Sequence, residues 1–259
     1  MPGERESQGG GACDLRVAFL GATGGLGRAL ARRMAARGDE LFLLGRTEEE
    51  LDRCARDLKI RGACGRVEYA PFDLLDGAGA APALDLAVGS LGGLDTVVAC
   101  AGLFAPHEEL EEDHELRGRL ISINFTGTIH FLEAARARLM ERGGGTLCVF
   151  GSVAGDCPRK PVALYGATKA ALAYYMEGLD RRYRRRGLRA VLVKPGFVRT
   201  AMTSGLRDPP FASDPERTTE PLLSAIDGGR PVVYAPGIWR PVMAALRRLP
   251  RFVMRRLEV

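Results

Sequence analysis

Seven short apolar runs, most of them separated by longer stretches of helical period, restrict what this chain can fold into more than any other feature. They are LRVAFLG (15–21), ELFLLG (40–45), VEYAPFD (67–73), LDTVVACAG (94–102), GTLCVFGS (145–152), LRAVLVKPG (188–196) and PVVYAP (231–236). Near-continuous hydrophobicity belongs to strands buried on both faces, and a helix between successive strands is the connection that a parallel sheet requires. Right-handed crossovers then leave a doubly wound α/β fold, a parallel sheet of about seven strands with helices on both faces. At 259 residues and 46% hydrophobic composition one core suffices, so residues 15–237 read as a single domain. The Gly-rich, charged residues 1–14 read as a disordered tail and residues 238–259 as a C-terminal extension.

Composition removes several classes of function. No run of about 18 apolar residues occurs, and MPGERESQGGGACD lacks the apolar core of a secretion signal, so a cytoplasmic location is expected. The six cysteines (Cys13, Cys54, Cys64, Cys100, Cys148 and Cys157) form no C-x-x-C pair and no metal-ligand spacing, so they are expected as free thiols with no metal site. The net charge of +5 comes from arginines spread over several helices, without interleaved aromatics, and no nucleic-acid partner is expected.

Directly after the first run comes GATGGLG, residues 21–27, with a helical pattern behind it. In a strand, glycine turn and helix unit, the missing side chains let backbone N–H groups approach a pyrophosphate at the positive end of the helix dipole. The spacing G-x-x-x-G-x-G resembles that of the short-chain dehydrogenase/reductase family, with a Rossmann-type sheet. The resemblance implies that Gly21, Thr23, Gly25, Leu26 and Gly27 cradle a nicotinamide dinucleotide; Leu20 stands where the family usually has threonine. At the end of the second run, Gly45-Arg46-Thr47 replaces the carboxylate that would grip the ribose 2′-hydroxyl of NAD. A guanidinium there suits a 2′-phosphate, so NADP(H) is expected over NAD(H); the alternative is that Arg46 is one more surface arginine. The resemblance further places Asp73 and Leu74 at the adenine. It also places Ala101 and Gly102 of Ala99-Cys100-Ala101-Gly102 where the family usually has N-N-A-G, so this chain loses two asparagines that usually steady the sheet.

Tyr165 and Lys169 are four residues apart, the spacing that shares one face of a helix. The chain has only four lysines against 33 arginines, so a lysine here calls for a reason. Ketone reduction needs a hydride and a proton donor poised for the developing alkoxide. A cation about 5 Å from a phenol, at an effective dielectric near 20, is worth roughly 3 kcal/mol, or about two pKa units. The compact ammonium can do this beneath a ribose where a planar guanidinium is bulkier. By resemblance, Ser152 in GSVAG and Asn124 in INFTG, on a long helix, complete the catalytic set: Tyr165 is the acid/base, Ser152 polarises the carbonyl, Lys169 tunes Tyr165 and holds ribose, and Asn124 anchors a relay water. In KPGFVRTAMT, Pro195 and Gly196 would shape the nicotinamide pocket, the Val198 backbone would meet the carboxamide, and Thr200 would reach the carboxamide or pyrophosphate. His107, His114 and His130 match no catalytic position.

Gly205 to Arg217 is expected to be the mobile loop over the substrate. Beyond it, Trp239, Val242, Met243, Leu246, Leu249, Val253 and Leu257 fall on one side of a helical plot, with Arg240, Arg247, Arg248, Arg251 and Arg255 on the other. Such a stretch can lie on an anionic membrane surface or pack against the domain or a second subunit. From Tyr165 onward, YGATKA, VLVKPGFVRTAM, VVYAP and VMAALRRLPRFVMRRL resemble the decaprenylphosphoryl-2-keto-ribose reductase group. That resemblance implies a lipid-linked ketone substrate and peripheral contact with the inner membrane face; the alternatives are a soluble carbonyl or ketoacyl reductase for a hydrophobic small-molecule ketone, and an NADP-binding sensor or scaffold without turnover. The family resemblance also implies a homodimer or homotetramer.

Overall fold

The computed structural model describes residues 15–63, 65–206 and 208–254, and the expectation for residues 1–14 lies outside them. All seven runs are strands: β1 (Arg16–Leu20), β2 (Glu40–Gly45), β3 (Val67–Pro71), β4 (Thr96–Ala99), β5 (Gly145–Phe150), β6 (Leu188–Pro195) and β7 (Val232–Ala235). They form one parallel sheet in the order β3-β2-β1-β4-β5-β6-β7. The connecting helices are α1 (Gly25–Arg37), α2 (Glu48–Ile60), α3 (Ala80–Leu91), α4 (His107–Glu112), α5 (His114–Ile121) and α6 (Thr128–Glu141). After β5 come α7 (Ala163–Tyr183), α8 (Pro215–Thr219), α9 (Leu222–Asp227), α10 (Trp239–Leu246) and α11 (Arg251–Met254).

The two-sided burial follows from the strand period. Successive side chains point to opposite faces, so Ala18 and Leu20 join Val97 and Leu147 in a core under α3, α6 and α7. Val17 and Phe19 join Val98 and Cys148 in a second core under α1, α2 and α9. Each residue of β4 is buried, which explains why the sequence shows runs rather than alternation.

The strand order reverses between β1 and β4, and the carboxyl ends of these two strands face the crevice where doubly wound sheets bind ligands. Their backbones come close there: a Cβ on Gly21 would lie 2.6 Å from the Ala101 nitrogen. Gly27 lets α1 start against the same turn, since its Cβ would lie 2.0 Å from the Gly21 carbonyl oxygen.

One element departs from expectation. The helix with Asn124 is not continuous α-helix: between α5 and α6, Ser122–Gly127 is a π-helical turn. Such bulges are common at functional sites, and this one turns the Asn124 side chain back toward the chain that follows β4.

Candidate active site

The first turn of α1 leaves its N–H groups free of intrahelical partners, with no side-chain cap at Gly24. Gly24 and Gly25 are exposed, and the Thr200 methyl lies against Gly25. Arg46 sits just beyond β2, exposed, and no group among the described residues pairs with its guanidinium. Asp73 turns one carboxylate oxygen inward to accept from Leu75 N at 2.9 Å; Leu74 is buried.

Asn124 is wholly buried. Its Oδ1 accepts from Leu103 N at 2.7 Å and its Nδ2 donates to Leu103 O at 2.7 Å. Each amide atom thus makes one bond to the segment after β4, and the side chain clamps that segment. A Cβ on Gly102 would stand 3.2 Å from Asn124 Oδ1 and 3.5 Å from Lys169 Nζ, so Gly102 brings this clamp and the lysine to one place.

Ser152 follows β5 and caps the 3-10 turn Val153–Gly155, its Oγ accepting from Ala154 N at 3.1 Å. Helix α7 approaches this turn closely enough that a Cβ on Gly166 would lie 2.6 Å from Ala154 O, and one on Gly155 would lie 2.8 Å from the backbone at Lys169 and Ala170. These two glycines let α7 close on the turn, which brings the Tyr165 hydroxyl near enough to Ser152 for the serine to favour the phenolate. Phe104 stands edge-on to the Tyr165 ring at 5.1 Å between centroids.

Lys169 is buried, and its Nζ donates to Phe150 O at 3.0 Å. An ammonium has three N–H donors, so this single bond leaves two beside Gly102. Burial lowers its pKa to about 8. The acidified phenol expected at Tyr165 is not what the fold produces: burial raises its pKa to about 12, and the influences opposing burial come from Ser152 and Arg159. Lys169 does not offset that burial: its Nζ donates to the Phe150 carbonyl and stands 5.8 Å from the Tyr165 ring centroid.

Pro195 closes β6, and Gly196 follows in the chain that leads to the isolated bridge between Val198 and Ser213. Val198 O accepts from the Thr203 hydroxyl at 2.7 Å, while no group among the described residues accepts its N–H. Thr200 begins the turn Ala201–Thr203, where its N–H donates to Thr203 Oγ1 at 3.0 Å. The expected mobile loop is partly ordered, since α8 begins within it.

The sequence did not point to three features. Trp239 of α10 lies on Gly196, with its indole nitrogen where a Cβ would project, and Met243 is buried against Val153 and Cys157. Part of the apolar face of the extension is thus turned onto the catalytic turn, while Ile238, Leu249 and Phe252 stay exposed; Arg255 and Leu257 lie outside the described residues. Lys194 Nζ pairs with Asp156, whose second oxygen accepts from Tyr234 OH at 2.6 Å, which ties β6 and β7 to the chain after Ser152. Arg159 is half-buried on the chain between Asp156 and Tyr165. Only the rarity of lysine, which also marked Lys169, could have drawn attention to Lys194.

The donors and the bare glycine turn suit a dinucleotide: a cradle without side chains, a half-satisfied buried ammonium and an unpaired N–H at Val198. Comparison with known proteins agrees. The family model for short chain dehydrogenase matches residues 16–210. An uncharacterized oxidoreductase of Mycobacterium tuberculosis (strain H37Rv) is 33% identical over 241 residues, covering 93% of this chain and 96% of its own. One from the mprA 5′ region of Streptomyces coelicolor is 34% identical over 242 residues, covering 93% and 94%. Among solved structures, a short chain dehydrogenase of Shigella flexneri complexed with NADP superposes with a TM-score of 0.76 at 26% identity, over 84% of this chain and 95% of that one. A Mycobacterium marinum short-chain type dehydrogenase/reductase shares the fold with a TM-score of 0.79 at 23% identity, over 86% and 94%. The chain therefore belongs to the short-chain dehydrogenase/reductase family of NAD(P)-dependent oxidoreductases.

Proposed function

We propose that this chain reduces a ketone to a secondary alcohol with NADPH, and that Tyr165 delivers the proton. When bound, the dihydronicotinamide supplies the hydride to the carbonyl carbon. The chain's own residues do the rest. Backbone N–H groups of Gly21, Thr23, Gly25, Leu26 and Gly27 hold the pyrophosphate at the start of α1. Arg46 takes the 2′-phosphate, Asp73 and Leu74 border the adenine, and Ala101 and Gly102 leave room beside the ribose. Lys169 donates its two unused N–H groups to the ribose hydroxyls. The Val198 N–H holds the carboxamide, with Pro195, Gly196 and Thr200 closing the pocket. Ser152 orients the substrate oxygen toward the Tyr165 hydroxyl, and Asn124 fixes the chain after β4. The observation that supports the reading most directly is the buried Lys169, bonded once to the Phe150 carbonyl and left with spare donors, on the helix that brings Tyr165 to Ser152.

For a proton donor the high phenol pKa is an asset, because Tyr165 stays protonated throughout the neutral range and proton transfer to an alkoxide is downhill. The assay is NADPH oxidation with a panel of ketones that includes a polyprenyl-phosphate 2-keto pentose. Turnover of at least one ketone is expected, and none across the panel would refute the reading. In the same assay the preference for NADPH over NADH in apparent KM is expected at about ten- to hundredfold, and Arg46→Ala should remove most of it. An unchanged ratio would return Arg46 to the ordinary surface arginines.

The resemblance of the C-terminal third supports a lipid-linked keto-sugar taken at the membrane surface, with exposed Leu249 and Phe252 as the contact. No helix among the described residues is long and apolar enough to cross a membrane. A specific observation favours a second reading, in which α10 walls the substrate pocket of a water-soluble ketone reductase: Trp239 covers Gly196 and Met243 is buried beside the catalytic turn. Co-sedimentation with anionic liposomes separates the two, since the first requires that deleting residues 238–259 release the protein to the supernatant. A dimer or tetramer through α7, where Tyr174 is 84% exposed, is part of the same proposal and is read by sedimentation velocity.

A further inference from the structure

Six described arginines have their pKa raised, and carboxylate partners stand among the causes in every case: Arg16, Arg37, Arg136, Arg138, Arg184 and Arg199. Arg159 differs from all of them. It is half-buried beside Cys157, and among the described residues no hydrogen bond, ion pair or ring contact engages its guanidinium. Burial accordingly lowers its pKa, the reverse of the other six.

The surroundings explain why no internal acid serves it. Asp156, three residues earlier, has one oxygen on Lys194 and the other on Tyr234. Helix α4, which packs against the turn Lys160–Val162 and against α7, carries four glutamates. Glu111 faces His107 at 3.4 Å, and Glu108, Glu109 and Glu112 do not reach the guanidinium. Arg159 does lie near enough to Tyr165 to act on the phenol electrostatically. A cation partly withdrawn from water without a counter-ion is costly to hold, and this one sits on the loop that joins the turn after Ser152 to the start of α7, six residues before Tyr165.

We propose that Arg159 binds an anionic group, carboxylate or phosphoryl, borne by the ketone substrate, and so selects charged ketones over neutral ones. This deepens the ketone-reductase reading and rests on it. The planar fork can meet two oxygens of either group at once, which an ammonium cannot. The substrate body is apolar: Phe104 stands against Tyr165, and Met202, Leu206 and Phe211 are exposed on the chain after Gly196.

The test uses the full chain with 2-, 3- and 4-oxodecanoate, their primary amides, and the matching oxodecyl phosphates. Within each protein the readout is the ratio of kcat/KM for anion over amide, so a general loss of activity cancels. Wild type is expected to favour one anion by about tenfold or more, and Arg159→Gln to bring that ratio near unity. Arg159→Lys, which keeps the charge and loses the fork, should fall between and guards against misfolding of the first variant. Preference for phosphate over carboxylate, or the reverse, identifies the source of the anion. If Arg159→Gln lowers anion and amide turnover equally, the arginine only tunes Tyr165 and the inference falls. Should wild type reduce no ketone, the reductase reading fails by itself. The inference is then read by calorimetric binding of decanoate and decyl phosphate against decanamide with NADP+ present, where equal affinities would overturn it.

Discussion

Tyr165→Phe is expected to lower kcat for ketone reduction by about 10²- to 10⁴-fold, the range that positioned proton transfer contributes, while NADPH binding measured by fluorescence titration stays within about threefold of wild type. The two effects should separate because, on the proposed reading, the hydroxyl serves the substrate carbonyl beside Ser152, whereas the glycine turn and Lys169 hold the cofactor. Phenylalanine also keeps the ring contact with Phe104, so the fold should survive. The pH dependence of the wild type follows with its sign. The donor must carry its proton, and burial keeps it there up to about pH 12. Lys169 must carry its charge to hold the ribose, and burial brings that pKa down to about 8. Reduction is therefore expected to stay level through neutral pH and to fall above about pH 8, by weakened cofactor binding rather than by loss of the proton donor. Full activity in Tyr165→Phe would end the assignment of this residue.

Gly27→Ala is expected to destabilise the fold by roughly 2–3 kcal/mol, the upper range of overpacking costs, and to abolish NADPH binding. The added Cβ would stand 2.0 Å from the Gly21 carbonyl oxygen. Both sides of that contact are backbone, so no side chain can rotate away, and the start of α1 must retreat from the turn after β1. The first-turn N–H groups that address the pyrophosphate move with it. Thermal unfolding followed by circular dichroism reads the first effect and fluorescence titration with NADPH the second. A variant with wild-type melting and cofactor affinity would show that the turn is not the cradle. The same change at exposed Gly24, whose nearest neighbour would be 4.0 Å away, is free of this clash in the folded chain.

The strands were legible because burial on both faces writes itself into the sequence as unbroken apolar runs; β4 is the clearest case, with every residue enclosed. The glycine turn was legible because backbone contact admits no substitute for glycine. Asn124 was legible as a position and not as a geometry: nothing in INFTG announces a π-helical turn, whose extra residue is accommodated by contacts with Leu103, some twenty residues away. The extension was legible as amphipathic and no further, since an apolar face reads alike whether lipid, a second chain or Val153 and Cys157 lie beneath it. The phenol's acidity was misjudged for a related reason. A helical spacing of four fixes which face Lys169 shares with Tyr165, while the direction of its ammonium is fixed by the Phe150 carbonyl on another element.

By itself, then, the sequence determined the seven-stranded sheet and the glycine turn at the head of α1, because strand period and glycine requirement are local properties. Tertiary structure alone decided which charges remained unanswered. Arg159 is one arginine among 33 in the sequence, and it becomes distinctive only when the fold gives Asp156 to Lys194 and Tyr234 and leaves the half-buried guanidinium without a carboxylate partner. Desolvation and pairing depend on what distant segments bring to the same place, and no window of neighbouring residues contains that information.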